Sequence, residues 1–206
     1  MSNYLGPSAE PGVYQNEIIP GERTRGMVRK GWKERAKKVR LLLLDVDGVM
    51  TDGRLAFDGE GKELKFFYAR DGIGIKLLQE AGIRVGILSG RGTKAVALRA
   101  KELGISLVRQ KSRDKGLALG EILEAENLRP EQVCYVGDDL VDLSVLCRVG
   151  FPVAVADAVP EVKFMAHLVT RNPGGRGAVR EVCEKILKIQ GKWEKGMRKF
   201  RSSPAG

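Results

Sequence analysis

The chain is short of the residues that most often bind transition metals or cross-link a fold. It has one histidine, His167, and three cysteines, Cys134, Cys147 and Cys183, none at a metal-ligand spacing. A cysteine–histidine metal centre is therefore unsupported, and an odd, scattered set of thiols points to reduced cysteines in a cytoplasmic protein. His167 sits in a short apolar stretch with no second histidine to assist it, so a catalytic or ligand role is the lesser reading. No apolar run approaches the roughly 18 residues of a membrane span. The N-terminal segment lacks the apolar core of a signal peptide, so neither membrane insertion nor secretion is expected. No internal repeat is visible.

Positive charge is abundant, but it is not evenly spread. The formal net charge is +10, of which residues 1–40 carry +5 and residues 191–206 carry +4, leaving +1 for 41–190. The basic excess belongs to the two ends and not to a folded face. These ends are read as solvated tails, with non-specific anion binding as the alternative; no specific nucleic-acid partner is expected. Residues 1–35, with Pro7, Pro11 and Pro20, read as a disordered or loosely attached basic extension. Residues 31–39 within and beyond it have the makings of a short basic helix. Residues 36–190 read as one domain, and 191–206 as a flexible basic tail.

Between the ends, short apolar runs at 41–46, 84–88, 105–108, 132–136, 152–155 and 167–169 alternate with helical patterns. The helical patterns fall near 72–81, 92–103, 114–126, 139–148, 158–165 and 177–190. Alternation of this kind predicts an α/β fold, Rossmann-like, with a central parallel sheet between two helical layers. One interval breaks the rhythm. Residues 53–68 hold two short alternating segments around Asp58-Gly59-Glu60-Gly61, a hairpin signal. This insertion is too small for a separate cap domain. Its Leu55, Phe57, Phe66 and Tyr68 would leave apolar surface open unless a second copy covered it.

The first apolar run, Leu41-Leu42-Leu43-Leu44, stops at Asp45-Val46-Asp47-Gly48. A buried parallel strand ending in carboxylates is where open α/β sheets place their chemistry. In an extended chain the two aspartates point the same way and repel unless a cation or proton lies between them. Mg²⁺ suits such all-oxygen ligands and leaves room for a phosphate. A plain turn is the competing reading; the further residues of a calcium loop are missing. Three more motifs fall where later strands should end: Ser89-Gly90-Arg91, Lys115, and Gly137-Asp138-Asp139-Leu140-Val141-Asp142. Singly, Ser89 reads as a helix cap, Lys115 as an exposed helix residue and Asp139 as an N-cap. Together they supply a nucleophile, an acid/base, phosphate-holding donors and metal-ligating oxygens, the parts of a phosphoryl-transfer site.

The order Asp-x-Asp-Gly-Val, Ser-Gly-Arg, Lys, Gly-Asp-Asp-x-x-Asp resembles the haloacid dehalogenase superfamily of phosphatases. Within it, the chain is most similar to the branch that hydrolyses 3-deoxy-D-manno-octulosonate 8-phosphate, over about residues 40–192. Residues 45–53, 69–76, 153–158 and 174–183 carry that closer likeness. The resemblance implies Mg²⁺ as cofactor and an aspartyl-phosphate intermediate in lipopolysaccharide precursor biosynthesis. It implies Asp45 as nucleophile and metal ligand, Asp47 as acid/base with its carbonyl on the metal, and Asp138 as the remaining metal ligand. Asp139 and Asp142 would support that shell, while Ser89 and Lys115 would hold the phosphoryl group. Tyr68, Ala69, Arg70, Asp71, Gly72, Lys76, Arg91 and Arg99, with Asp47 and Lys115, would bind the sugar acid. For Lys76 and Arg99 the competing reading is a solvated helix face. The branch further implies a homotetramer whose hairpins meet at the centre, with a neighbour covering each site, a mobile loop at 174–177, and a C-terminal tail that reaches a neighbour's site. A related nine-carbon sialic-acid-type sugar phosphate is the alternative substrate, and a non-enzymatic tetrameric partner the alternative role.

Overall fold

The computed structural model describes residues 27–201. The expectation of disorder for residues 1–26 falls outside this range. In chain order the elements are α1 (Trp32–Lys38), β1 (Leu41–Leu44), β2 (Ala56–Phe57), β3 (Glu63–Leu64), α2 (Ala69–Glu80), β4 (Arg84–Leu88), α3 (Lys94–Leu103), β5 (Leu107–Arg109) and α4 (Lys115–Ala125). There follow β6 (Val133–Gly137), α5 (Leu143–Leu146), β7 (Phe151–Ala154), α6 (Pro160–Met165), β8 (Leu168–Val169), α7 (Ala178–Ile189) and α8 (Trp193–Arg201).

Six strands form one parallel sheet in the order β5-β4-β1-β6-β7-β8. The leucines of β1 explain its central place. All four are fully buried, because a strand with helices on both faces has no solvent side. Each such leucine contributes roughly 1.5–3 kcal/mol relative to exposure. On one side α7 packs on α2 and α1; on the other, α5 packs on α4 and α6. Helix α7 buries Ala178, Val179, Val182, Cys183, Ile186 and Leu187, the i, i+3, i+4 stripe of a helix facing a core.

β1 lies between β4 and β6, so the chain crosses to opposite sides of it in successive excursions. The C-terminal end of β1 is thus the crevice that this topology opens. β2 and β3 make the expected hairpin outside the main sheet. Asp58 closes its turn, its Oδ1 accepting from the backbone N–H groups of Glu60 (3.0 Å) and Lys62 (2.8 Å). No helix among the described residues is long and apolar enough to cross a membrane.

Two boundaries differ from expectation. Residues 27–35 are not loose. Val28 bridges Leu168 at the sheet edge, Val169 N–H donates to the Met27 carbonyl (2.8 Å), and α1 rests on α7. The tail after 190 is helical over α8, with Trp193 under the Lys188 ammonium, 4.8 Å from ring centre to Nζ.

Candidate active site

Asp45 follows β1 directly and is buried. Its Oδ1 accepts from Lys115 Nζ at 2.6 Å. Lys115 opens α4, whose N-cap Asp114 accepts from Leu117 N–H at 2.9 Å; that cap fixes where the helix starts and so where the lysine points. The ammonium also donates to Asp142 Oδ1 (2.7 Å), which takes a further bond from the Tyr135 hydroxyl (2.6 Å). Asp142 Oδ2 accepts from Asp138 N–H at 2.9 Å. Asp142 is therefore a fully buried hub that orients Lys115 and seats the backbone of the loop after β6.

Ser89 follows β4 directly and is buried. Its N–H donates to the Arg109 carbonyl (2.9 Å) and its carbonyl accepts from Ser112 N–H (3.1 Å), so the loops after β4 and β5 are tied together. Asp138 follows β6. Asp45, Asp138 and Asp142 each place a carboxylate oxygen within 4.8 Å of the others. Gly48 makes room for this: at φ 91° it adopts a conformation natural only to glycine, and a Cβ there would strike the Asp138 carboxylate.

Burial and crowding shift the protonation of Asp45 and Asp138. Burial, opposed by Lys115 and aided by Asp142, raises Asp45 to about 6. Burial, with Asp45, Asp142 and Asp139 as negative neighbours, raises Asp138 to about 8. For Lys115, burial works against the charge, but the two carboxylates prevail and hold its pKa above the ordinary lysine value. An all-oxygen set that resists its own negative charge, with a cradle kept open by a glycine, fits a hard divalent cation.

Asp45, Ser89, Lys115 and Asp138 line one cleft of about 250 Å³, together with Asp47, Arg91, Ser112, Arg113 and Asp139. Asp47 stands at its mouth, bound by Lys65 from the hairpin side and 4.0 Å from Arg91 Nε. Two serines and three cations around four carboxylates make a seat for a metal-bound phosphate.

The family model for haloacid dehalogenase-like hydrolases matches residues 105–181. The 3-deoxy-D-manno-octulosonate 8-phosphate phosphatase KdsC of Yersinia pestis is 50% identical over 161 residues, 78% of this chain and 86% of the relative. The chain belongs to this family of haloacid dehalogenase-like phosphatases. It is a phosphoric monoester hydrolase by that membership. The KdsC of Escherichia coli K12 is 48% identical over 158 residues, 77% of this chain and 84% of the relative. A crystal structure of the Moraxella catarrhalis phosphatase, in complex with a magnesium ion, a phosphate ion and a KDO molecule, superposes with a TM-score of 0.81 at 37% identity, covering 84% of this chain and 99% of that one.

Of the residues expected at the phosphatase site, the fold gathers Asp45, Asp47, Ser89, Arg91, Lys115, Asp138 and Asp139 on the cleft, with Asp142 beneath it. Asp139 also does what an N-cap does, accepting from Leu140 N–H at 2.7 Å. Lys115 is buried, not an exposed helix residue. Tyr68, Ala69, Arg70, Asp71, Gly72, Lys76 and Arg99 do not line the cleft. Asp71 instead caps the start of α7, accepting from Arg180 N–H at 2.7 Å, and burial raises it to about 6. Arg99 pairs with Glu102 (2.8 Å) over the Phe67 ring, above Gly72; Lys76 lies on the exposed face of α2.

The segment 174–177, expected as a mobile loop, is a run of turns packed on its neighbours. It lies across the catalytic loop as a strap: Gly175 N–H donates to the Val49 carbonyl (3.0 Å) and Gly174 N–H to Asp157 Oδ1 (2.9 Å). Gly175, at φ 62°, sits so close to the Thr51–Asp52 backbone that a Cβ has no space. Sequence reasoning missed Lys65, Ser112 and Arg113. The run Lys111-Ser112-Arg113 beside Lys115 was the available signal for two of them; for Lys65 only the inward side of the hairpin's alternation pointed at the site.

Proposed function

We propose that this phosphatase hydrolyses 3-deoxy-D-manno-octulosonate 8-phosphate with Mg²⁺, releasing the octulosonate for lipopolysaccharide precursor synthesis. The observation that carries the chemistry is the convergence of Asp45, Ser89, Lys115 and Asp138 at the end of β1, with Asp47 at the mouth. The substrate follows from the relatives, which bear that name over most of their length.

Asp45, Asp138 and the Asp47 carbonyl would hold the cation, which when bound withdraws charge from the phosphoryl oxygens and from Asp45. Ser89 and Lys115 hold the phosphoryl group in line with Asp45 Oδ. The Asp45 carboxylate attacks phosphorus, the bond to the sugar oxygen breaks, and Asp47 gives that oxygen its proton. Water then attacks the aspartyl-phosphate, Asp47 takes its proton, and inorganic phosphate leaves Asp45 free. Arg91 and Arg113 lie where a second anionic group of the substrate would be received, and guanidinium forks suit a carboxylate. Lys76 and Arg99 contribute only if presented by a neighbouring copy. The exposed apolar side chains of the hairpin, Leu55, Phe57 and Phe66, support a homotetramer built on that element.

The test compares the octulosonate 8-phosphate with a nine-carbon keto-acid sugar phosphate, with Mg²⁺ and with chelator, for the native chain and Asp45→Asn. The expected outcome is Mg²⁺-dependent hydrolysis that prefers the eight-carbon substrate and falls by at least about 10³-fold in the Asn protein. An Asn protein as active as the native one contradicts the mechanism; equal or reversed preference contradicts the substrate.

A further inference from the structure

Lys65 is the feature of the site that neither the motifs nor the proposed mechanism accounts for. It follows β3, on a hairpin with several exposed side chains, yet its own side chain is only 2% exposed. Its ammonium donates to Asp47 Oδ1 and, at 2.7 Å, to Glu63 Oε1. Glu63 in turn accepts from Arg91 Nη2 at 3.0 Å. The hairpin's alternation produces this arrangement. Glu63 and Lys65 face the cleft, while Leu64 and Phe66 between and after them face outward, 43% and 68% exposed. Burying a lysine between two carboxylates costs desolvation that a surface hairpin has no need to meet for its own folding.

We infer that Lys65 is a positioning residue for Asp47: it fixes the carboxyl of the acid/base in the rotamer that faces the leaving-group oxygen. Asp47 is 21% exposed, and apart from Lys65 its nearest cation is Arg91 at 4.0 Å, beyond direct hydrogen bonding. Without Lys65 the carboxyl has no close partner among the described residues to hold it. Glu63 completes the device by gripping Lys65 and Arg91 at once, so that the acid/base and a substrate-facing arginine are set by one short strand. This rests on the proposed role of Asp47.

The reaction itself supplies a selective readout. Proton delivery by Asp47 matters for a sugar or alkyl phosphate, whose alkoxide is a poor leaving group. It matters little for p-nitrophenyl phosphate, whose aryl oxide leaves unprotonated. In the full-length protein with Mg²⁺, Lys65→Met should lower kcat about 100-fold on the octulosonate 8-phosphate with KM within about threefold. On p-nitrophenyl phosphate its kcat/KM, which reports only the steps up to departure of the leaving group and not the later Asp47-assisted attack of water, should stay within about threefold of the native chain. Lys65→Arg should restore most of the loss. If Lys65→Met does not fold, as judged by its circular dichroism melt, Lys65→Gln provides the same ratio of ratios. Equal losses of kcat/KM on both esters, or no loss on either, overturn the inference. Its failure is separable from failure of the proposed mechanism, which shows as an active Asp45→Asn protein.

Discussion

Asp45 and Asp138 titrate near 6 and 8 when the site is free of metal, well above the ordinary aspartate value of 3.8. The folded protein thus keeps protons that the unfolded chain has already released. Its stability therefore falls as pH rises from about 4 towards 8. A divalent cation replaces those protons and removes the loss. The rise in melting temperature on adding Mg²⁺ should be small near pH 5 and largest near pH 8; a shift independent of pH would contradict this reading. Lys115 carries the opposite charge in the same buried space. Lys115→Met leaves Asp45 and Asp142 facing each other and should cost about 3–5 kcal/mol in denaturant unfolding. Asp142→Asn added to it should return part of that, a coupling visible in a double-mutant cycle. The aspartates, Ser89 and Lys115 were legible in the sequence because a parallel sheet delivers strand ends to one edge. Asp71, Arg99 and Lys76 were not, because which way a helix faces its neighbours depends on packing that no local motif records.

At the level of elements, periodicity located the six strands of the sheet and six of the eight helices to within a few residues, and a basic α1 was foreseen as well. The hairpin was legible through its turn residues. Helix α8 was not: Gly191 and Gly196 and a run of basic side chains mask its pattern, and its order comes from Trp193 seated by α7. Residues 27–31 escaped notice for a similar reason, since a single bridge to β8 leaves no repeat to read. The strap 174–177 was legible only as three glycines in four residues; that they permit contact with the catalytic loop depends on packing that no local pattern records. Gly175→Val would force a side chain into the Thr51–Asp52 backbone and a β-branched residue into positive φ. It should cost at least about 2 kcal/mol and lower kcat together with stability, measured by urea unfolding and steady-state rates. A variant unchanged in both would mean that the strap is dispensable.

At the scale of the molecule, the outer face of the hairpin leaves apolar side chains open to water. Phe57 and Phe66 are 57% and 68% exposed. Phe57→Ser with Phe66→Ser should shift the sedimentation coefficient to that of a smaller species while changing the thermal unfolding of the subunit by about 1 kcal/mol or less. An unchanged coefficient would place assembly elsewhere. Synthesis, meanwhile, runs from the nucleophile loop to the strap that seats it. The chain has made Asp45, Asp47 and Gly48 more than a hundred residues before the backbone that closes on Val49 and Thr51, which comes from near the far end of the domain. A nascent polypeptide therefore carries its aspartates for most of translation without a working geometry to hold them. The enzyme acquires its activity late, as a property of the finished domain, and a chain interrupted before residue 174 would be inert with its nucleophile intact.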